Sequence, residues 1–125
     1  MIIGIGIDLV ENARLKSALS RQGDRLLGKI FTPDERRYCE DKWNRIAHYA
    51  ARFAVKEAVL KALGTGWSRG IRWTDVEVVH APSGQARTRL AGRARAIAKK
   101  MGIRSFHISI THTERYAAAV AVAES

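Results

Sequence analysis

Two carboxylates in apolar surroundings carry the strongest chemical signal in this chain. Glu57 falls on the line Ile46, Ala50, Phe53, Glu57, Leu60 of a long helical pattern. A carboxylate held away from water must be paired, protonated or bound to metal. Lys61 follows one turn on, so the plainest reading of this segment alone is a buried Glu57–Lys61 ion pair in the favourable i, i+4 orientation. Asp8 is the second acid. It lies near the end of the apolar run Ile2 to Val10, on the face that Gly4 and Gly6 clear for a close approach of backbone or ligand. Read by position alone, Asp8 serves equally as a cap for the helix that follows. Together, two lone carboxylates without a His or Cys cluster suit a hard cation. Magnesium takes few protein oxygens, keeps waters and completes its shell with substrate phosphates. Zinc does not fit, because His48, His80, His107 and His112 show no ligand spacing with each other or with Cys39. His112 is the third feature: it ends a strand on which Ser109 and Thr111 share a face, where a histidine can contact phosphate or move a proton. A lone histidine in that position is more often a surface residue.

The elements that must position these groups follow from periodicity and punctuation. Ile2 to Val10 reads as a short buried strand with Ile3, Ile5, Ile7 and Leu9 as its apolar face. A helix is expected from Glu11 to about Ser20. Thr32-Pro33-Asp34-Glu35 is a helix start with a capping threonine, proline at the first turn and Glu35 at the capping-box position, predicting a helix to about Glu40. Trp43 to Leu63 is the longest helical pattern, ended by Gly64. On it Arg45, Arg52 and Lys56 cluster on one narrow side, and most of the remaining circumference is apolar, so the helix is largely buried. Ile71 to Val79 and Gln85 to Leu90 flank the turn Pro82-Ser83-Gly84 as a hairpin. Ala91 to Met101 is a short basic helix stopped by Gly102; Phe106 to Thr111 and Tyr116 to Ala123 are strands. This order predicts an α+β fold, a small mixed or antiparallel sheet with a long central helix, in one domain over residues 1–125.

Composition sets the outer limits. A chain of 125 residues, 46% hydrophobic and 27% charged, is ordinary globular usage and excludes disorder, collagen and low complexity. One cysteine cannot form an intrachain disulfide, which suits a reducing cytosol. No apolar run approaches the roughly eighteen residues of a membrane span, and Met1-Ile2-Ile3-Gly4 lacks the basic start of a secretion signal, so a cytoplasmic protein is expected. The net charge of +10 is the one extreme, and it attracts polyanions: nucleic acid, anionic membrane, a phosphorylated ligand or an acidic protein. Gly4-Ile5-Gly6 does not continue into a dinucleotide fingerprint, and Gly64-Thr65-Gly66 lacks the Lys-Ser of a P-loop. No zinc finger, recognition helix or RNA-binding signature occurs, so a non-catalytic nucleic-acid-binding module stands as the alternative rather than the main reading.

Three segments taken together resemble a known family. Gly4-Ile5-Gly6-Ile7-Asp8-Leu9-Val10-Glu11, the helix Arg52-Phe53-Ala54-Val55-Lys56-Glu57-Ala58-Val59-Leu60-Lys61-Ala62, and Ile108-Ser109-Ile110-Thr111-His112-Thr113 resemble the short holo-(acyl-carrier-protein) synthase class of 4′-phosphopantetheinyl transferases. Phe31-Thr32-Pro33-Asp34-Glu35 is similar to that class's F-[ST]-x-x-E segment. The resemblance implies transfer of 4′-phosphopantetheine from coenzyme A to a serine of apo acyl carrier protein, releasing adenosine 3′,5′-bisphosphate, in support of fatty acid biosynthesis. It implies magnesium on Asp8 and Glu57, Lys61 beside the phosphates, and a coenzyme A pocket lined by Lys61, Gly64, Ser109, Thr111 and His112. It also implies a homotrimer with active sites between neighbouring subunits. Acyl carrier proteins are small and acidic, so Arg14, Lys16, Arg21 and Arg25 are expected to steer and dock one. The base for the serine stays open among a water on the metal, Glu57 and His112. Thr111 stands where the family more often has serine, which keeps the hydroxyl; Asn12 replaces an aliphatic residue usual after Glu11.

Overall fold

The computed structural model describes residues 1–125. Its first strand, β1 (Ile2–Glu11), leads into helices α1 (Asn12–Gln22), α2 (Asp24–Ile30) and α3 (Pro33–Glu40), then the long helix α4 (Arg45–Leu63). A 3-10 turn at Trp73–Asp75 opens the hairpin β2 (Val76–His80) and β3 (Ala86–Leu90), followed by α5 (Gly92–Lys100), β4 (Ser105–His112) and β5 (Tyr116–Glu124). The sheet β1-β5-β4 is wholly antiparallel, and β2-β3 forms a separate two-stranded pair. The predicted α+β architecture with a central helix is therefore present.

Small residues explain how α4 lies on this sheet. Gly4 and Gly6 of β1, with Ala119, Ala121 and Ala123 of β5, present an almost bare floor, and Ala54, Ala58 and Ala62 of α4 meet it. A Cβ on Gly4 would stand 2.1 Å from the Ala62 carbonyl oxygen, and one on Gly6 would stand 1.8 Å from that of Ala58. The helix backbone thus rests directly on β1, which only glycine permits. The floor is the even face of β1, the face that carries Asp8.

That choice reverses one expectation. The odd face of β1 was expected to enter the core, yet Ile5, Ile7 and Leu9 are 62%, 67% and 64% exposed. Alternation reveals that a strand has two unlike faces; which one a helix covers depends on how closely its backbone can approach. The register continues this outer face across the sheet, as Ile7 with Val120 and Ser109, and Leu9 with Ala118 and Thr111.

Around the other side of α4 a second core forms from Leu15, Leu19, Leu27, Ile30, Phe31 and Tyr49 with their neighbours. Gly23, at φ +59°, ends α1 and starts α2, a helix absent from the sequence reading because this glycine breaks one amphipathic pattern into two short ones. The capping box predicted at Thr32 and Glu35 is present in both directions. The basic side assigned to α4 is not a solvated stripe, since Arg52 and Lys56 are buried. Lys56 Nζ donates to Glu35 Oε1 at 2.8 Å, to the Trp73 carbonyl at 3.2 Å and to the Val76 carbonyl. Glu35 in turn accepts from the Val78 amide at 2.9 Å. This pair ties α3, α4 and β2 together beside the residue that bears the candidate carboxylate, and it explains Glu35 beyond its role as a cap. The strand expected from Ile71 begins only at Val76, because Asp75 folds back to accept from the Arg72 amide and closes the 3-10 turn.

Candidate active site

Asp8 and Glu57 reach the same cleft from different elements. Asp8 projects from the helix-facing side of β1, one turn of pleat beyond Gly6, and Glu57 projects from the middle of α4. Both line a cleft of about 750 Å³ between β1, α1, α2 and α4, together with Lys61, Arg14, Phe53 and Trp73. Lys61 Nζ donates to Asp8 Oδ1 at 3.2 Å and to the Ile7 carbonyl at 2.9 Å, a contact that spans 53 residues. The Glu57–Lys61 pair read from the helix alone is therefore not formed. The lysine turns toward the strand because Asp8 and a free carbonyl meet it there.

Glu57 has a different partner. Trp67 Nε1 donates to its Oε1 at 3.2 Å. Burial pushes the Glu57 carboxyl above the usual glutamate range; the Trp67 hydrogen bond pulls it part of the way back, and the charge of Asp8 raises it again. Two carboxylates that face one cleft form a favourable place for a cation. The donor set is hard oxygen, and a pair of carboxylates with a cleft open to solvent leaves the remaining positions to water or phosphate oxygens, as magnesium prefers. No group of three or more His, Cys, Asp or Glu side chains is placed to hold a metal. The residues present thus fit a two-carboxylate magnesium site and not an all-protein cage.

Comparison with known proteins assigns the family. The profile of the 4′-phosphopantetheinyl transferase superfamily matches residues 4–121. A relative named holo-[acyl-carrier-protein] synthase, from Koribacter versatilis, is 47% identical over 124 residues, covering 99% of this chain and 99% of the relative. This chain belongs to the 4′-phosphopantetheinyl transferase superfamily. Its fold agrees with solved structures of the superfamily. The holo-[acyl-carrier-protein] synthase of Neisseria meningitidis superposes with a TM-score of 0.91 at 30% identity, covering 100% of both chains. That of Helicobacter pylori, in complex with coenzyme A, gives 0.84 at 30% identity over 96% of this chain and 99% of the other. The nucleic-acid-binding alternative finds no favour among these relatives.

The expected site residues do not all come together. Asp8, Glu57, Lys61 and Arg14 share the cleft. His112 instead lines a second cavity of about 930 Å³ with Asn12, Lys16, Trp43 and Arg45. Ser109 and Thr111 lie exposed on the outer face of β4 and point toward neither cavity. Gly64 ends α4 in the left-handed region at φ +75°, with open space where a Cβ would stand. Arg21 and Arg25 are exposed on α1 and α2, outside the cleft. Sequence reasoning missed Trp67, whose only local sign is its place in a glycine-rich loop after the helix. It also missed Arg52, whose Nε is buried without a partner although the guanidinium lies over the Tyr38 ring at 4.2 Å.

Proposed function

We propose that this protein transfers 4′-phosphopantetheine from coenzyme A to a serine of an acidic acyl carrier protein, releasing adenosine 3′,5′-bisphosphate, with magnesium held by Asp8 and Glu57. The observation that carries the reading is the meeting of these two acids and Lys61 in one cleft, in a chain that matches holo-[acyl-carrier-protein] synthases along its whole length. Cytoplasmic location accords with the single buried cysteine, Cys39. No helix is long and apolar enough to cross a membrane.

In this reading the carrier serine oxygen attacks the phosphorus of the pantetheine phosphate. A serine O–P bond forms, the P–O bond to the nucleotide phosphate breaks, and adenosine 3′,5′-bisphosphate leaves with the electron pair. Phosphoryl transfer asks the protein mainly for positioning and charge neutralisation. When bound, magnesium supplies a divalent charge against the pyrophosphate oxygens. Lys61 holds Asp8 in place and, with its side chain about half exposed (53%), can turn its ammonium to the leaving phosphate. The serine hydroxyl gives up its proton to a base, for which Glu57 in the cleft, His112 in the second cavity and a water on the bound cation are the groups available. Arg14 at the cleft and Arg21 and Arg25 beside it give a basic approach for an acidic carrier.

We infer a homotrimer from the family resemblance, and the outer sheet face is consistent with self-association: Ile5, Ile7 and Leu9 lie exposed beside Val120 and Val122, with the polar β4 row of Ser109 and Thr111 next to them. The test incubates the protein with coenzyme A, magnesium and apo acyl carrier protein and weighs the carrier. A phosphopantetheine mass gain is expected, abolished in Asp8→Ala and Glu57→Ala with their circular dichroism unchanged. Absence of a gain on every carrier tried would overturn the proposal.

A further inference from the structure

We propose that Trp67 is a positioning residue for Glu57, fixing the carboxylate so that one oxygen stays free for a divalent cation shared with Asp8. The inference rests on the magnesium reading above and extends it to a residue outside the cleft's acidic pair.

Glu57 has one donor, the Trp67 indole N–H at 3.2 Å on Oε1. Lys61, one turn away, goes to Asp8 and the Ile7 carbonyl instead. Oε2 is therefore left with its lone pairs unspent. A neutral indole donor orients a carboxylate without cancelling its charge, whereas a lysine in the same place would compete with a metal for it. Tryptophan donates and cannot accept, so the arrangement has one sense only.

The indole is itself held from three sides. Its loop leaves α4 through Gly64 and Gly66, at φ +75° and +56°, conformations that side chains rarely adopt. Thr65 donates from its amide back to the Leu60 carbonyl at 3.2 Å, and Ser68 Oγ donates to the Thr65 carbonyl at 2.6 Å. Arg93 of α5 then ties down the far end, its Nε donating to the Arg69 carbonyl at 3.0 Å. The ring packs on Trp73, which stacks on Phe53 with centroids 4.9 Å apart and planes at 24°. Phe53 lies one turn before Glu57 on α4, so the column starts and ends on the same helix. Such a brace keeps the carboxylate aimed before any ion arrives, and outer-shell partners of this kind are typically worth about 10–100-fold in metal affinity or activity.

Trp67→Phe keeps the ring and deletes the donor. Binding of Mn²⁺ as the probe ion, read by the loss of its free electron-spin signal with and without coenzyme A, is expected to weaken by about tenfold or more. In turnover, the Mg²⁺ concentration giving half-maximal rate should rise by a similar factor while kcat at saturating Mg²⁺ changes little. A purely structural role would lower stability without that split. A second readout uses the unmutated protein: one of its three indole N–H resonances should move on addition of Mg²⁺, and the same resonance should move in Glu57→Gln. This holds even if Trp67→Phe fails to fold. Unchanged Mn²⁺ affinity in Trp67→Phe, with Glu57→Gln strongly weakened, overturns the role of Trp67 and leaves the magnesium pair standing. Equal Mn²⁺ binding by the unmutated protein and Glu57→Gln overturns both.

Discussion

Adding a single methyl group at Gly6 tests the physical basis of the site. The Cβ of Gly6→Ala would stand 1.8 Å from the Ala58 carbonyl oxygen, 2.8 Å from its carbon and 2.9 Å from the Ala62 nitrogen. Those atoms are the two ends of one i to i+4 helix hydrogen bond, so no side-chain rotation can make room. Carbon contacts are comfortable at about 3.5–4.0 Å, and relief therefore requires α4 to lift from β1 by roughly 1.5 Å. Overpacking costs about 1–3 kcal/mol where side chains can yield, and a backbone obstacle places this case at or above about 3 kcal/mol. The alanine returns only about 0.4–1 kcal/mol by stiffening the unfolded chain. A net loss of about 2–3 kcal/mol follows, roughly a 10 °C fall in Tm for a domain of this size. Glu57 and Lys61 ride on the displaced helix, so phosphopantetheine transfer should fall as well. Gly28→Ala is the matched control: its Cβ would meet nothing nearer than Arg36 at 3.8 Å, inside helix α2, and should stabilise by about 0.5–1 kcal/mol. Urea midpoints of the two variants should move in opposite directions. An unchanged midpoint for Gly6→Ala, or a shift of the same sign in both, would refute the close-packing argument.

Three further outcomes follow from particular contacts. Lys56→Met strands Glu35 without its charge partner and leaves the Trp73 and Val76 carbonyls short of a donor, so urea unfolding should show a loss of about 3–5 kcal/mol, partly recovered by Glu35→Gln in the same chain. The Glu57 carboxyl is raised by burial, so the folded state holds its proton more tightly than the unfolded chain; its contribution to stability is present below the ordinary value of 4.5 and is lost as pH rises through the raised one. Metal-free Glu57→Gln should therefore melt higher than the unmutated protein at neutral pH, with the gap closing in thermal scans below about pH 4. If the outer apolar face is the proposed trimer interface, Ile7→Glu places a charge in its middle, and sedimentation should show the variant as a folded monomer where the unmutated protein is larger.

Much of the local architecture was legible in order along the chain. The capping box at Thr32 and Glu35, the left-handed stop at Gly64 and the hairpin turn around Pro82-Ser83-Gly84 each rest on interactions within a few residues, and the last two strands show in the apolar patterning of their own segments. The two acids could also be singled out, because glycine spacing and an apolar helix make an isolated carboxylate conspicuous. What sequence could not supply were the partners. Lys61 to Asp8 spans 53 residues, Lys56 to Glu35 spans 21, and Val78 to Glu35 spans 43. Each is decided by how α4 lies on the sheet.

The amino-acid sequence by itself determined the chemistry on offer: two hard acids, a neighbouring lysine, and a bare glycine face beside them. Only the tertiary structure decided which face of β1 the helix covers, which lysine meets which acid, and that an indole from a later loop holds Glu57. The reason lies in range. Side-chain type and capping act over one turn of chain, whereas a charge in a cleft takes its partner from whatever the packing of distant elements brings within about 3 Å.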